Sequence, residues 1–172
     1  MAPVEIAFLL IIALFGLIGA VRGFNREIGV TVMLLIALLV LQLLDSVFVG
    51  FRDKVLTFIA GPDQAAQLTA RAILYGLFLI VITFISYQGE TLTFPTASPS
   101  GTLGFFAGLL NGWLFAGSIW YFSAAANWPF IPVCCDYDPL YQALSKLLPP
   151  AVLTWQYLIV MIVIMLILRV WK

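Results

Sequence analysis

The stretch that most constrains the fold runs from Gly101 to Ala125 and reads GTLGFFAGLLNGWLFAGSIWYFSAA. It is long enough to cross a bilayer as a helix, and it contains no charged side chain. Small residues recur in it at every fourth position: Gly104, Gly108, Gly112 and Ala116. On a helix this spacing forms one nearly straight stripe, which in lipid allows two helix backbones to approach closely. Because so many glycines would weaken a helix in water, the stretch predicts the central packing helix of a membrane protein.

The composition of the whole chain supports the same interpretation. Of its 172 residues, 63% are hydrophobic and only 9% are charged, whereas about 25% are charged in an ordinary soluble domain. Apolar surface on this scale requires lipid as the solvent. We therefore expect an all-α fold, a polytopic bundle of membrane helices that forms a single integral membrane domain over residues 1–172.

Charge and residue usage exclude several functional classes. Eight Lys and Arg balance eight Asp and Glu without a basic patch, so no nucleic-acid partner is predicted. Histidine is absent, which removes the usual ligand of haem or chlorophyll. The two cysteines, Cys134 and Cys135, are adjacent and cannot form a CxxC metal site. We predict no metal and no cofactor, with lipid, quinone or pigment contact by packing left open. We also predict no enzymatic activity, because no nucleophile has a base beside it.

The apolar runs predict five membrane spans, at about 4–21, 28–45, 72–88, 102–125 and 151–169. Two further helices, at about 47–59 and 139–148, carry apolar residues on one face and are expected to lie on the membrane surface. An odd number of spans places the N- and C-termini on opposite faces. Lys and Arg divide equally between those faces, so the positive-inside rule does not decide the orientation, and we favour a cytoplasmic C-terminus.

Few polar residues interrupt the spans. Asn111 is the one strongly polar residue of the fourth span, and we expect it to hydrogen-bond to a neighbouring helix. Gln42 and Asp45 lie near the far end of the second span. Asp45 is expected to be interfacial and solvated, because a helix rising about 1.5 Å per residue reaches the opposite interface there. Gly16 and Gly19, near the end of the first span, form a second small-residue surface.

A short polar segment joins the first two spans: Arg22, Gly23, Phe24, Asn25, Arg26 and Glu27. A connection this short predicts that the two helices form an antiparallel hairpin. Two interpretations of its charges remain open. The arginines could simply hold the tip of the hairpin at the membrane interface, or the segment could be a docking point or a clamp for lipid headgroups.

The hairpin segment and the glycine stripe together resemble the bacterial colicin V production protein family. The family pattern G-x-x-R-G-F-x-R/K-E is similar to the segment formed by Gly19, Arg22, Gly23, Phe24, Arg26 and Glu27. The family's later pattern L-G-x-x-x-G-x-x-x-G is matched by Leu103, Gly104, Gly108 and Gly112. The chain departs from the family where Gly101-Thr102 replaces Asp-Arg and where Asn111 replaces an Arg. The resemblance implies a multi-pass protein of the bacterial inner membrane that is linked to toxin export and envelope homeostasis, and it carries over no catalytic residue.

These features favour a non-catalytic scaffold or accessory subunit of a larger membrane assembly, for which energy-transducing and light-harvesting complexes are candidates. Helices that are apolar on every side face lipid or are covered by other helices. The expected partners are therefore the lipid bilayer and other membrane subunits or further copies of the chain. A channel or transporter component linked to export or envelope homeostasis is the alternative, although ion pathways usually require more intramembrane polar groups.

Overall fold

The computed structural model describes residues 4–88, 101–129 and 139–170. Cys134 and Cys135 lie outside the described residues. The described residues contain helices and no strand, which confirms the prediction of an all-α helical bundle. The helices are α1 (Val4–Arg22), α2 (Phe24–Ser46), α3 (Val49–Ala60), α4 (Gln64–Gln88), α5 (Gly101–Ala125), α6 (Pro139–Ser145), α7 (Pro149–Val152) and α8 (Trp155–Val170).

Four helices, α1, α2, α4 and α5, are long and apolar enough to cross a membrane. The fifth predicted span differs from the structure, because residues 151–169 do not form one continuous helix. They begin within the short helix α7 and continue, after a break at Leu153 and Thr154, in the shorter apolar helix α8. Leu153 has extended backbone angles that end α7, and the apolar run in the sequence does not reveal this break.

The connection between α1 and α2 is a single residue. Gly23 has φ +85°, in the left-handed region that favours glycine, and it is the one non-helical residue between the two helices. The predicted six-residue polar connection is therefore wrong. Phe24 begins α2, and Glu27 lies in its first turn. The charge pattern of the segment suggests a polar connection of six residues, but the backbone reversal needs only the glycine.

Helix α2 packs against α4, α5 and α8. Its inward side chains, including Leu34, Leu35 and Leu38, are fully buried against residues such as Leu79 and Leu114. Helix α1 packs mainly along α5 and makes little contact with α2. Helix α5 is therefore shared between α1 on one side and α2 and α4 on another, which agrees with its predicted role as the central packing helix.

The remaining helices differ from the predictions mainly at their ends. The surface helix predicted at 47–59 corresponds to α3, and the polar run that precedes the third predicted span is part of α4. Helix α6 ends at Ser145 and not at 148. Leu148 is extended because the following Pro149 excludes a helical conformation at the preceding residue.

Candidate functional site

The glycine stripe of α5 lies against α1. A Cβ atom at Gly19 would collide with the carbonyl oxygen of Gly104 and lie 2.9 Å from the Cα atom of Gly108. At the next turns, a Cβ atom at Gly112 would lie 2.8 Å from the Cα atom of Ile12. The two helices therefore touch backbone to backbone, and they run antiparallel because higher positions on α5 meet lower positions on α1.

The other predicted packing residues continue this contact at both ends. Ala116 packs in an apolar cluster with Phe8 and Trp120. Gly16 faces the side chain of Leu109, whose Cδ2 would lie 2.7 Å from an added Cβ atom. Near the turn, a Cβ atom at Gly104 would lie 3.1 Å from the Cα atom of Gly23. The stripe thus brings the helix turn itself against α5.

The contact between α1 and α5 places Arg22 and the first turn of α2 beside α4 and α5. There the Glu27 carboxylate is completely buried. Its Oε1 accepts a hydrogen bond from Arg22 Nη1 at 3.1 Å, and its Oε2 accepts one from the hydroxyl of Tyr87 at 2.9 Å. The Arg22 guanidinium also stacks over the Tyr87 ring, 4.4 Å from its centroid, and donates to the Tyr87 carbonyl oxygen at 3.1 Å. The negative charge of Glu27 therefore has a direct cationic partner at a completely buried position.

Asn111 completes the site from α5. Its Nδ2 donates to Oε2 of Glu27 at 2.9 Å and to the Glu27 carbonyl oxygen at 3.0 Å. Its Oδ1 accepts a hydrogen bond of 2.7 Å from the Thr31 hydroxyl. Asn111 and Thr31 are both fully buried. The structure therefore places the Asn111 side chain in the cross-helix hydrogen bonds expected from the sequence, and its partner is the carboxylate that the sequence placed in a polar loop.

The site of Glu27, Arg22, Tyr87, Asn111 and Thr31 joins four helices through one carboxylate. Both carboxylate oxygens have hydrogen-bond partners and the carboxylate is completely buried, so the site is a closed hydrogen-bond network with no carboxylate surface open to a ligand. Of the other hairpin residues, Phe24 is half-buried and Arg26 is exposed. Tyr87 and Thr31 are not predictable as members of this site, because no local pattern distinguishes them from other polar residues within a span.

A second polar cluster lies at the other end of the bundle. Oδ1 of Asp45 accepts hydrogen bonds from Arg52 Nη1 and from the Tyr75 hydroxyl, both at 3.0 Å. Arg71 forms an ion pair with the same oxygen at 3.7 Å. The sequence predicts an interfacial and solvated Asp45. In the structure its side chain is partly exposed and is also paired with two arginines, because α3 and α4 bring their polar side chains over the end of α2. Burial opposes the charge of Arg52, but the hydrogen bonds that Arg52 donates to Asp53 and Asp45 outweigh it and raise the pKa of the guanidinium.

Replacing Asp45 with asparagine should lower the stability of the bundle by about 1 kcal/mol. The charge that orients Arg52 and Tyr75 is lost, but the cluster is partly exposed and the amide oxygen still accepts a hydrogen bond. The measurement is unfolding of the purified protein in mixed detergent micelles at low and high salt, and the loss should shrink at high salt. Asp53→Asn, at a half-exposed position, is the control and should cost less. A larger effect at Asp53 than at Asp45 would contradict the assignment.

Gln42 has a separate structural role. Its Nε2 donates to the carbonyl oxygen of Leu153, at the break between α7 and α8. A backbone carbonyl at a helix break lacks its usual partner, and a buried carbonyl without a partner is costly in lipid. Gln42 thus links α2 to the point at which the chain turns into α8.

These features define an all-α bundle of the membrane-protein type, with one polar cluster around Glu27 and another around Asp45. No group of three or more metal-ligating side chains occurs in the parts of the chain that the structure describes. No family model matches the chain, and neither the curated proteins nor the solved structures include a match.

Proposed function

We propose that this chain is a non-catalytic scaffold or accessory subunit of a larger membrane assembly. The observation that supports this function is the closed network around Glu27. A transport or reaction site needs polar groups that are accessible to a substrate, whereas Glu27, Thr31 and Asn111 are fully buried and bonded to one another. Such a network fixes the relative positions of the helices and suits a rigid structural unit.

The outer surfaces of the bundle fit this function. Exposed apolar side chains line the outer side of α1: Leu10, Leu14, Leu17 and Val21. A second exposed apolar surface lies on α4: Leu77, Ile80, Val81 and Phe84. Surfaces of this kind contact lipid, other membrane subunits or a further copy of the chain. A light-harvesting or other energy-transducing complex is a candidate assembly, and a pigment or quinone would be held there by packing alone.

The resemblance to the colicin V production protein family adds a location to the proposal. It favours a multi-pass protein of the bacterial inner membrane. The orientation comes instead from the five predicted spans, which place the N- and C-termini on opposite faces, and we favour a cytoplasmic C-terminus. In this interpretation the hairpin residues are structural. Arg22 and Glu27 form the ion pair of the buried network, and Gly23 makes the turn.

A channel or transporter component is the second candidate, and one observation favours it. An ion pair within membrane helices, here Arg22 with Glu27, is a frequent element of proton and ion pathways. This function requires the network to open, because its carboxylate has no exposed surface in the structure. Proton or ion flux in liposomes that Glu27→Gln abolishes would support it over the scaffold.

The scaffold proposal is tested by native mass spectrometry after gentle detergent extraction from the source membrane. We expect the chain to be bound at fixed stoichiometry to other membrane subunits. Two matched sets of alanine variants then locate the interface. One set removes the α1 surface (Leu10, Leu14 and Leu17), and the other removes the α4 surface (Leu77, Ile80 and Phe84). One set should abolish the complex and the other should leave it intact. A chain that is extracted alone from the wild-type membrane would contradict the proposal.

A further inference from the structure

Two adjoining cavities lie beside α3, and one has an apolar lining whereas the other has a polar lining. One is an apolar cleft of about 210 Å³ between α2, α3 and α4, lined by residues that include Leu41, Leu44, Phe51, Leu74 and Phe78. The other is a polar pocket of about 230 Å³ between α3 and α4, lined by residues that include Asp53, Gln64, Gln67 and Arg71. The two cavities share Arg52 and Leu56. An apolar cleft beside a polar pocket can bind an amphipathic ligand, which has one apolar part and one polar part.

One face of α4 lines both cavities. Gln64, Gln67 and Arg71 face the polar pocket, and Leu74 and Phe78 follow at helical spacing in the apolar cleft. The surface therefore changes from polar to apolar along about 20 Å of helix, at a rise of 1.5 Å per residue. A molecule that lies along this face would place its polar end near the start of α4 and its apolar end near the middle of the bundle.

Arg71 supplies the charge that would select the polar end. Within residues 4–88, 101–129 and 139–170 its guanidinium has one charged partner, Asp45 Oδ1 at 3.7 Å, which is too distant for a hydrogen bond. Arg52, by contrast, donates to both Asp45 and Asp53. Of the two arginines that line the polar pocket, Arg71 is therefore the one whose guanidinium donates no hydrogen bond within the described residues, and a guanidinium matches the oxygens of a phosphate group.

The cleft opens on the outer surface of the bundle, since Val40, Phe51 and Leu74 are each more than a third exposed. In a membrane this surface faces acyl chains. The cleft volume lies below the range of about 300–1,000 Å³ for complete ligand pockets, so it holds a segment of a chain and not a whole ligand. One acyl chain of a membrane lipid meets both conditions.

We propose that this surface binds one membrane phospholipid, with its phosphate at Arg71 and one acyl chain in the cleft between α2, α3 and α4. The site is separate from the Glu27 network and does not depend on the scaffold function. It makes α3 the cover of a lipid site, in addition to a helix at the membrane surface.

The test is native mass spectrometry of delipidated protein titrated with dioleoylphosphatidylglycerol, and with dioleoylglycerol as the probe that lacks phosphate. The wild type should bind one molecule of dioleoylphosphatidylglycerol. Its affinity for this lipid should be higher than its affinity for dioleoylglycerol. Arg71→Gln should weaken phosphatidylglycerol binding by about tenfold, the effect of losing one charged hydrogen-bonding partner. Lys54→Gln removes the same charge from an exposed position on α3 and is the matched control, with a change below about twofold.

A second variant tests the apolar part of the site without touching an ion pair. Leu74→Trp fills the cleft and should also weaken phosphatidylglycerol binding by about tenfold, because the indole ring occupies the space that the acyl chain would take. This variant decides the matter if Arg71→Gln fails to fold. Equal binding of the two probes to the wild type would overturn the proposal. Equal affinities of Arg71→Gln and Lys54→Gln, or wild-type affinity of Leu74→Trp, would overturn it as well.

Discussion

Replacing Glu27 with alanine should destabilise the folded bundle by about 3–5 kcal/mol, which is the usual cost of removing one partner of a buried ion pair. The substitution leaves the Arg22 guanidinium without its carboxylate. It also removes the acceptor of the Tyr87 hydroxyl and one of the two acceptors of the buried Asn111 Nδ2, which keeps the Glu27 carbonyl oxygen. A buried donor without an acceptor costs more than the hydrogen bond itself contributes. The effect should therefore exceed that of any substitution in the cluster around Asp45.

The measurement is the free energy of unfolding in mixed detergent micelles, with helix content followed by circular dichroism. Glu27→Gln is the first control, because it keeps an acceptor for Tyr87 or Asn111 but not the charge opposite Arg22, and it should be milder than alanine. Asp53→Ala, which removes a half-exposed carboxylate from its pair with Arg52, should cost at most about 1 kcal/mol. If Glu27→Ala and Asp53→Ala proved equal, the buried network could not be the main polar constraint on the fold.

The contrast between the glycine stripe and Glu27 explains how much of this structure was predictable. The stripe is a periodic pattern within one helix, so the spacing of Gly104, Gly108 and Gly112 predicts a packing face without knowledge of the partner. The burial of Glu27 depends on Tyr87 and Asn111, which are 60 and 84 positions away. A cluster of charges beside a glycine reads locally as a polar turn. Only the tertiary structure shows that one member of that cluster points into the bundle.

The same distinction applies at the far end of the chain. The apolar run from residue 151 to residue 169 predicts one span, and hydropathy contains no information about the break at Leu153 and Thr154. That break is stabilised by Gln42, which comes from α2. The partners of Asp45 were likewise not predicted, because Arg52 and Tyr75 belong to other helices. Hydropathy and periodicity predict helices and their faces, whereas polar groups within the bundle acquire their roles from residues distant in sequence.

The close approach of α1 and α5 should make Gly108→Ala destabilising by about 1–3 kcal/mol, the usual cost of overpacking a tight interface. A Cβ atom at Gly108 would collide with the carbonyl oxygen of Phe15 and lie 2.9 Å from its carbonyl carbon. The obstacle is backbone, so no side-chain rotation relieves it, and the two helices must separate. Gly108→Leu should be worse for the same reason, whereas Leu109→Val, which removes one methylene, should be mild.

Gly76→Ala is the matched control for Gly108→Ala. Gly76 also lies within a long apolar helix, α4, but nothing stands within 4 Å of the position that its Cβ would take. Both substitutions add one methyl group and gain the same helix propensity, which at Gly76 should raise the stability by up to about 1 kcal/mol. Unfolding in mixed micelles should therefore give changes of opposite sign. If the two alanine variants had the same stability, the close backbone contact between α1 and α5 would not require glycine at position 108. The backbone contact would then not be what holds α1 in the bundle.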